Sequence, residues 1–148
     1  AAGRAGLPLV VAPGALDMVN FGAADTVPER FAERHLLVHN PTVTLMRTTA
    51  DEMAELGASM GRKLASAHGP TAVLWPLGGV SAVDAPGGPF RDPEADAAGL
   101  ASLRTALRGS AVDLREIGAH LNDPSFAVAA ADHLHQLITA RGRSHPNV

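Results

Sequence analysis

Residues 72–96 read AVLWPLGGVSAVDAPGGPFRDPEAD. The uncharged apolar run Ala72–Trp75 has the composition of a buried strand and breaks at Pro76. At the far end, Asp92-Pro93-Glu94 is a helix start, with Asp92 as N-cap and Pro93 in the first turn. A buried strand leading to a helix is half of a βαβ unit, which predicts a parallel sheet. What lies between is unusual: Pro76–Asp96 carries four Gly and four Pro. Ordinary links are about 4–6 residues, and longer ordered ones are usually functional.

The same pattern extends in both directions. Leu7–Val11 (LPLVV) and Leu36–Val38 (LLV) are two more apolar runs, closed by Ala-Pro-Gly and by His39-Asn40-Pro41. Val112–Ile117 (VDLREI) alternates apolar with charged residues, which marks an edge strand. Thr49-Ala50-Asp51-Glu52 fits a capping box, and Met53, Leu56, Met60 and Leu64 follow at helical spacing to a stop at Gly69-Pro70. The helix from Asp92 buries Leu100, Leu103 and Leu107 and ends at Gly109. A last helix starts at Asp123-Pro124, runs through Phe126, Leu134 and Leu137, and stops near Gly142. Asp17–Arg34 carries no clean stripe and predicts irregular chain with a short helix near Pro28–Arg34. The fold class is α/β: three layers, a mostly parallel sheet of at least four strands, and helices on both faces, Rossmann-like or flavodoxin-like.

Composition narrows the function classes. The 148 residues suit a single domain. Net charge is −3 with no basic run, which argues against nucleic acid. No apolar run approaches the ~18 residues of a membrane span, and no signal-peptide pattern opens the chain. Cysteine is absent, which removes disulfides, thiol catalysis and Cys-ligated zinc. A cytoplasmic location is the default. The opening AAGRAGLPLVV has no initiator Met, so a fragment of a longer protein is expected.

In open parallel sheets, ligands bind beyond the carboxyl ends of the strands. The suggestive residues all follow strands: Asp17, Asn20, His39, Asn40, Thr44, Arg47, Gly78, Gly79, Ser81, Asp84, His120 and Asn122. The opposite loops, AHGPT (67–71) and RGSA (108–111), are short and plain. These twelve are the candidate ligand-binding residues. Gly78-Gly79 is either a phosphate cradle or a structural turn, and the segment matches neither a Walker A nor a dinucleotide fingerprint. Asp92 and Asp123 are accounted for as N-caps, whereas Asp84 is either a ligand contact or an Asx-turn. His39 and His120, with Asp84, could form an acid–base or metal cluster, but a strand-ending His more often bonds loop backbone; no metal site is assigned. Arg47 is either an anion clamp or the partner of Asp51 or Glu52. His133 and His135 read as surface residues. The loop 78–92 is expected to be ordered, anchored by Val80 and Phe90, with Arg91 pointing outward.

Four segments in order, PGALDMVNFG, HNPTVTLMRTTADE, PLGGVSAVDAPGGPFRDPEAD and HLNDPSFA, resemble the C-terminal half of an uncharacterised-protein family (UPF). That family includes the tomato mosaic virus resistance protein and is often labelled an ATP-binding-domain family. The resemblance covers about residues 7–138 and implies two α/β halves, with the nucleotide-binding signature in the N-terminal one. No such signature occurs here, so the chain itself is expected to hold no cofactor, with ATP entering through the missing N-terminal domain. Expected partners are that domain, a small anionic ligand and a second copy in a homo-oligomer. The competing class is an assembly module, supported by apolar loop residues such as Leu16, Met18, Val19, Phe21, Leu45, Met46, Val80, Val83 and Phe90.

Overall fold

The structure, a computed structural model, describes residues 2–143. Its centre is a parallel sheet of three strands: β1 (Leu9–Val11), β5 (Thr71–Pro76) and β6 (Asp113–Ile117), in the order β1-β5-β6. Leu9–Val11 lies opposite Thr71–Val73, and Ala72–Pro76 opposite Asp113–Ile117. All six residues of β5 are buried, as an uncharged apolar run in a central strand must be. Strand β6 lies at an edge, as its alternation predicts.

Period-two alternation along β5 feeds two cores. Val73 and Trp75 pack with Met53 of α1 (Ala50–Ala65) and with Leu100 and Leu103 of α2 (Pro93–Ala106). Ala72 and Leu74 pack with Phe126 of α3 (Pro124–Arg143). Helices therefore cover both faces, and the three-layer α/β class holds. Among the described residues, no helix is long and apolar enough to cross a membrane.

The expected fourth parallel strand does not join this sheet. Leu36–Val38 belongs to β3 (Leu36–Asn40), which pairs antiparallel with β4 (Val43–Arg47); β2 (Met18–Phe21) lies on the other side of β4. In this second sheet, ordered β2-β4-β3, strands β2 and β4 occupy chain that reads as loop. The cause is a hairpin turn: the Asn40 carboxamide oxygen accepts from the backbone N–H (2.9 Å) and hydroxyl (3.0 Å) of Thr42. Asn-Pro-Thr thus reverses the chain instead of ending a parallel strand. The short helix expected near Pro28 is a single 3-10 turn, Glu29–Phe31.

Helix α1 carries both halves of its capping box, Thr49 with Glu52. Its buried face matches the predicted stripe in part. Met53 is buried, and Met60 and Leu64 pack half-buried against the same core, but Leu56 is exposed and Gly57 and Gly61 face α2. A Cβ on Gly57 would stand 2.1 Å from the Gly99 carbonyl oxygen, and one on Gly61 2.6 Å from the Ala106 Cβ. Backbone-to-backbone contact of this kind excludes any larger side chain, so it rotates the glycine face of α1 onto α2. Helix α1 ends at Ala65, ahead of the predicted stop; Gly69 packs against the Gly6 carbonyl instead. His133, expected at the surface, is buried on α3 with its Nε2 3.4 Å from Asp113 Oδ2 of β6, while His135 is exposed.

Candidate functional site

The three loops beyond the carboxyl ends of the parallel strands are laced together through their backbones. Leu77 N–H donates to the Ile117 carbonyl (2.8 Å), Gly78 N–H to Ala119 (2.9 Å), Leu121 N–H to Gly79 (3.1 Å) and Ala15 N–H to Val80 (2.9 Å). Ala15 holds a left-handed φ of 55°, a costly conformation for a residue with a Cβ. Gly78 and Gly79 are required for close approach: a Cβ would lie 2.6 Å from the His120 nitrogen at Gly78 and 2.4 Å from the Asp84 carbonyl at Gly79. Gly79 also has φ +120°, as the glycine-turn expectation requires.

Side chains then tie the loops down. Ser81 Oγ donates to Asp17 Oδ2 at 2.6 Å, and Val80 N–H donates to Asp84 Oδ2 at 2.7 Å. His120 Nε2 lies 2.8 Å from the Ser81 carbonyl, while its Nδ1 accepts from Asn122 N–H at 3.0 Å. A carbonyl only accepts, so these two bonds select the Nε2-protonated neutral tautomer. Asp123 accepts from His120 N–H at 2.9 Å. Asp92 caps α2 as predicted, accepting from Ala95 N–H at 3.0 Å.

Beneath the loop lies a buried charge cluster. Arg47 is 5% exposed; its Nε donates to the Phe90 carbonyl (2.8 Å), its Nη1 to Thr48 Oγ1 (3.1 Å) and its Nη2 to Asp96 Oδ1 (3.0 Å). Arg91 Nη1 reaches Asp96 Oδ2 at 2.8 Å and Asp84 Oδ1 at 3.5 Å. Arg91 therefore turns inward, contrary to the outward orientation expected from sequence. Arg47 bridges to Asp96 rather than to Asp51 or Glu52; Glu52 is held by Arg34 at 2.5 Å. Burial raises the Asp17 carboxyl above its ordinary value, partly offset by the Ser81 hydrogen bond. Burial, then the charge of Asp84, pushes Asp96 up to about 6.

The predicted residues thus divide. Asp17, Arg47, Gly78, Gly79, Ser81, Asp84 and His120 meet in this assembly, with Asn122 exposed beside His120. Asn20, on β2, and His39 and Asn40, on the hairpin, are exposed on the second sheet, and no hydrogen bond or ion pair links His39 to Asp84 or His120. Thr44 is buried on β4, its Oγ1 without a partner among the described residues. No group of three or more potential metal ligands forms among the described residues. Asp96 is absent from the candidates drawn from sequence, and Arg91 is read there as an outward residue. Their only signal is an acidic residue in the first turn of α2 close to an Arg before its cap.

The chain is 49% identical over 134 residues to a UPF0261 protein of Clostridium tetani, covering 90% of the chain and 33% of that protein. It is 51% identical over 128 residues to a UPF0261 protein of Rhizobium meliloti, covering 86% and 32%. The ToMV resistance protein Tm-1(GCR237) of Solanum lycopersicum is 42% identical over 127 residues, which is 85% of the chain and 17% of that protein. The chain spans about a third of the length of the microbial relatives it matches. The Uncharacterised protein family (UPF0261) C-terminal domain matches residues 1–138, and the chain belongs to that family.

Proposed function

We propose that this domain supplies one wall of a site for a small anionic, nucleotide-like ligand, the other wall coming from an N-terminal half. On a Rossmann-like reading of the three-stranded sheet, the site lies beyond its carboxyl edge, where such ligands bind. The observation that carries this reading is the lacing of Gly78–Ser81 by Asp17, Asp84 and His120. A binding wall must be fixed before the ligand arrives, and these side chains fix it. They act as supports, leaving Asn122 and the loop backbone for the ligand, with ATP reaching the site through the N-terminal half. The exposed Asn122 side chain makes no hydrogen bond among the described residues, so its loss leaves the lacing intact.

The test is calorimetric titration of ATP into a full-length protein carrying this domain. Asn122→Ala is expected to weaken binding about tenfold, the effect of one lost ligand hydrogen bond, with unchanged melting. Unchanged ATP affinity in that variant overturns the reading. A second reading, an assembly module with no ligand, is favoured by one observation: the rim side chains spend their hydrogen bonds on the loops themselves, Ser81 on Asp17 and the Asp84 and His120 side chains on loop backbone. It predicts that Asn122→Ala changes neither ATP affinity nor assembly, while Ser81→Ala disturbs stability alone.

A further inference from the structure

We propose that a small cavity between the end of β5 and the start of α2 is a separate site, which takes a short-chain monocarboxylic acid as its anion. The cavity holds about 110 Å³ and is lined by Trp75, Leu77, Arg91, Pro93, Asp96 and Leu100. A water molecule in the liquid takes ~30 Å³, so the space admits an acid of about two to four carbons. It excludes a nucleotide, since pockets for larger ligands start at ~300 Å³. The cavity lies on the α2 face of the sheet, whereas Asn122 leads into α3 on the other face, so it stands apart from the nucleotide-like site.

Two donors on this lining lack acceptors. Arg91 meets Asp96 Oδ2 and Asp84 Oδ1 through Nη1 alone, and its Nε and Nη2 make no hydrogen bond among the described residues. Trp75 is 1% exposed, and its indole N–H has no partner among the described residues either, although a buried indole usually finds one. A carboxylate supplies what both lack, and its shape matches the planar guanidinium fork. Leu77, Pro93 and Leu100 are apolar and suit a short alkyl tail, which inorganic phosphate does not have. The charged groups around Asp96 are Arg47, Arg91 and Asp84, with Asp17 near Asp84 and with Asp92 and Glu94 at the start of its own helix. Burial and the charge of Asp84 carry Asp96 up to about 6. Its protonation removes a negative charge from the wall, so an anion binds more tightly as pH falls through that value.

Trp75 is the sole tryptophan of the 148 residues, so its fluorescence reports this cavity directly. The experiment is titration of sodium butyrate into the 148-residue chain at constant ionic strength, with circular dichroism confirming that each variant folds. A saturable change in emission is expected, with a dissociation constant on the order of 1 mM at about pH 5.5 and several-fold weaker at about pH 7.5. Ala97 is exposed on the cavity wall, so Ala97→Phe fills the space without touching the charges and should weaken butyrate at least about tenfold. Arg91→Lys keeps the charge but loses the fork and should weaken it about tenfold. A change that never saturates, or a folded Ala97→Phe that binds as the parent does, overturns the proposal. So does neutral butyramide binding as well as butyrate, phosphate saturating at lower concentration, or affinity that rises with pH. Displacement of butyrate by ATP would assign the cavity to the nucleotide-like site and overturn it as a separate one.

Discussion

Replacing Asp96 by Asn tests which force governs the buried charge cluster. Two carboxyls, Asp84 and Asp96, lie against two guanidiniums, Arg47 and Arg91, with the buried Asp17 carboxyl close enough to feel Asp84 and Arg47. Two guanidiniums within 3.0 Å of Asp96 would by themselves hold its carboxyl ionised. Burial and the neighbouring Asp84 oppose them and prevail, carrying it from the ordinary 3.8 to about 6. In the folded chain Asp96 therefore keeps its proton over a pH range where the unfolded chain has lost it. The native state binds more protons there, so this group's contribution to stability declines as pH rises from about 4 to 6. At 1.36 kcal/mol per pH unit the decline amounts to ~3 kcal/mol. Asn mimics the protonated acid and does not titrate. Urea unfolding of parent and Asp96→Asn, at matched ionic strength from about pH 4 to 7, should show their stability gap move by up to ~3 kcal/mol in favour of the variant. A gap that moves toward the parent as pH rises would mean that the Arg47 and Arg91 pairs outweigh burial, and would refute the reasoning.

Other substitutions probe the contacts one at a time. Gly57→Ala forces a methyl into the Gly99 carbonyl and should cost about 1–3 kcal/mol in urea unfolding, whereas Ala at the open Gly109 neighbourhood meets only its positive φ and costs less. Phe90→Ala empties the loop's buried anchor, which packs edge-on to His35 at 5.0 Å between ring centres, and should cost about 3–5 kcal/mol; a loss under ~1 kcal/mol would show the loop held without it. Ser81→Ala strips Asp17 of its donor, at about 1–3 kcal/mol. Because the Ser81 bond lowers the already raised Asp17 carboxyl, the melting loss should be larger at neutral than at acid pH; equal losses would sink that account.

Elements defined by nearest-neighbour chemistry are legible in this sequence. The capping box at Thr49, the Asp92-Pro93 start and the apolar run of β5 each declare themselves within a few residues, and each lies where expected. The second sheet is not declared in that way. Val43–Arg47 mixes Thr and Arg with apolar residues, and its burial on both faces comes from strands and loop distant in sequence. Yet LLVHN and VTLMR flank a short Asn-Pro-Thr reversal, which is a hairpin signal if the turn is weighed before the helix cap that follows. On α1, hydrophobic spacing favours Leu56, whereas the two glycines at i and i+4 define the face that packs. Small residues are an easily missed packing signal, because their contribution is the space they leave for another backbone.

The loop 76–96 shows why polar residues concentrated on a rim are hard to interpret. Every strand-end polar group is equally able to hold a ligand or another loop, and the partners decide. Arg47 meets Asp96 across 49 positions, and Ser81 meets Asp17 across 64. No local pattern encodes such pairings. Their burial gives the distinction: Asp17 and Asp84 are fully inaccessible, so they cannot touch a ligand without the loop opening. A residue that touches ligand must remain reachable, so in the function proposed above Asn122 and the loop backbone are the surface and the acidic residues its supports. The same logic orders the mutational outcomes. Changes at Asp17, Ser81 or Asp84 should register first in stability, and only a change at the exposed edge separates binding from folding.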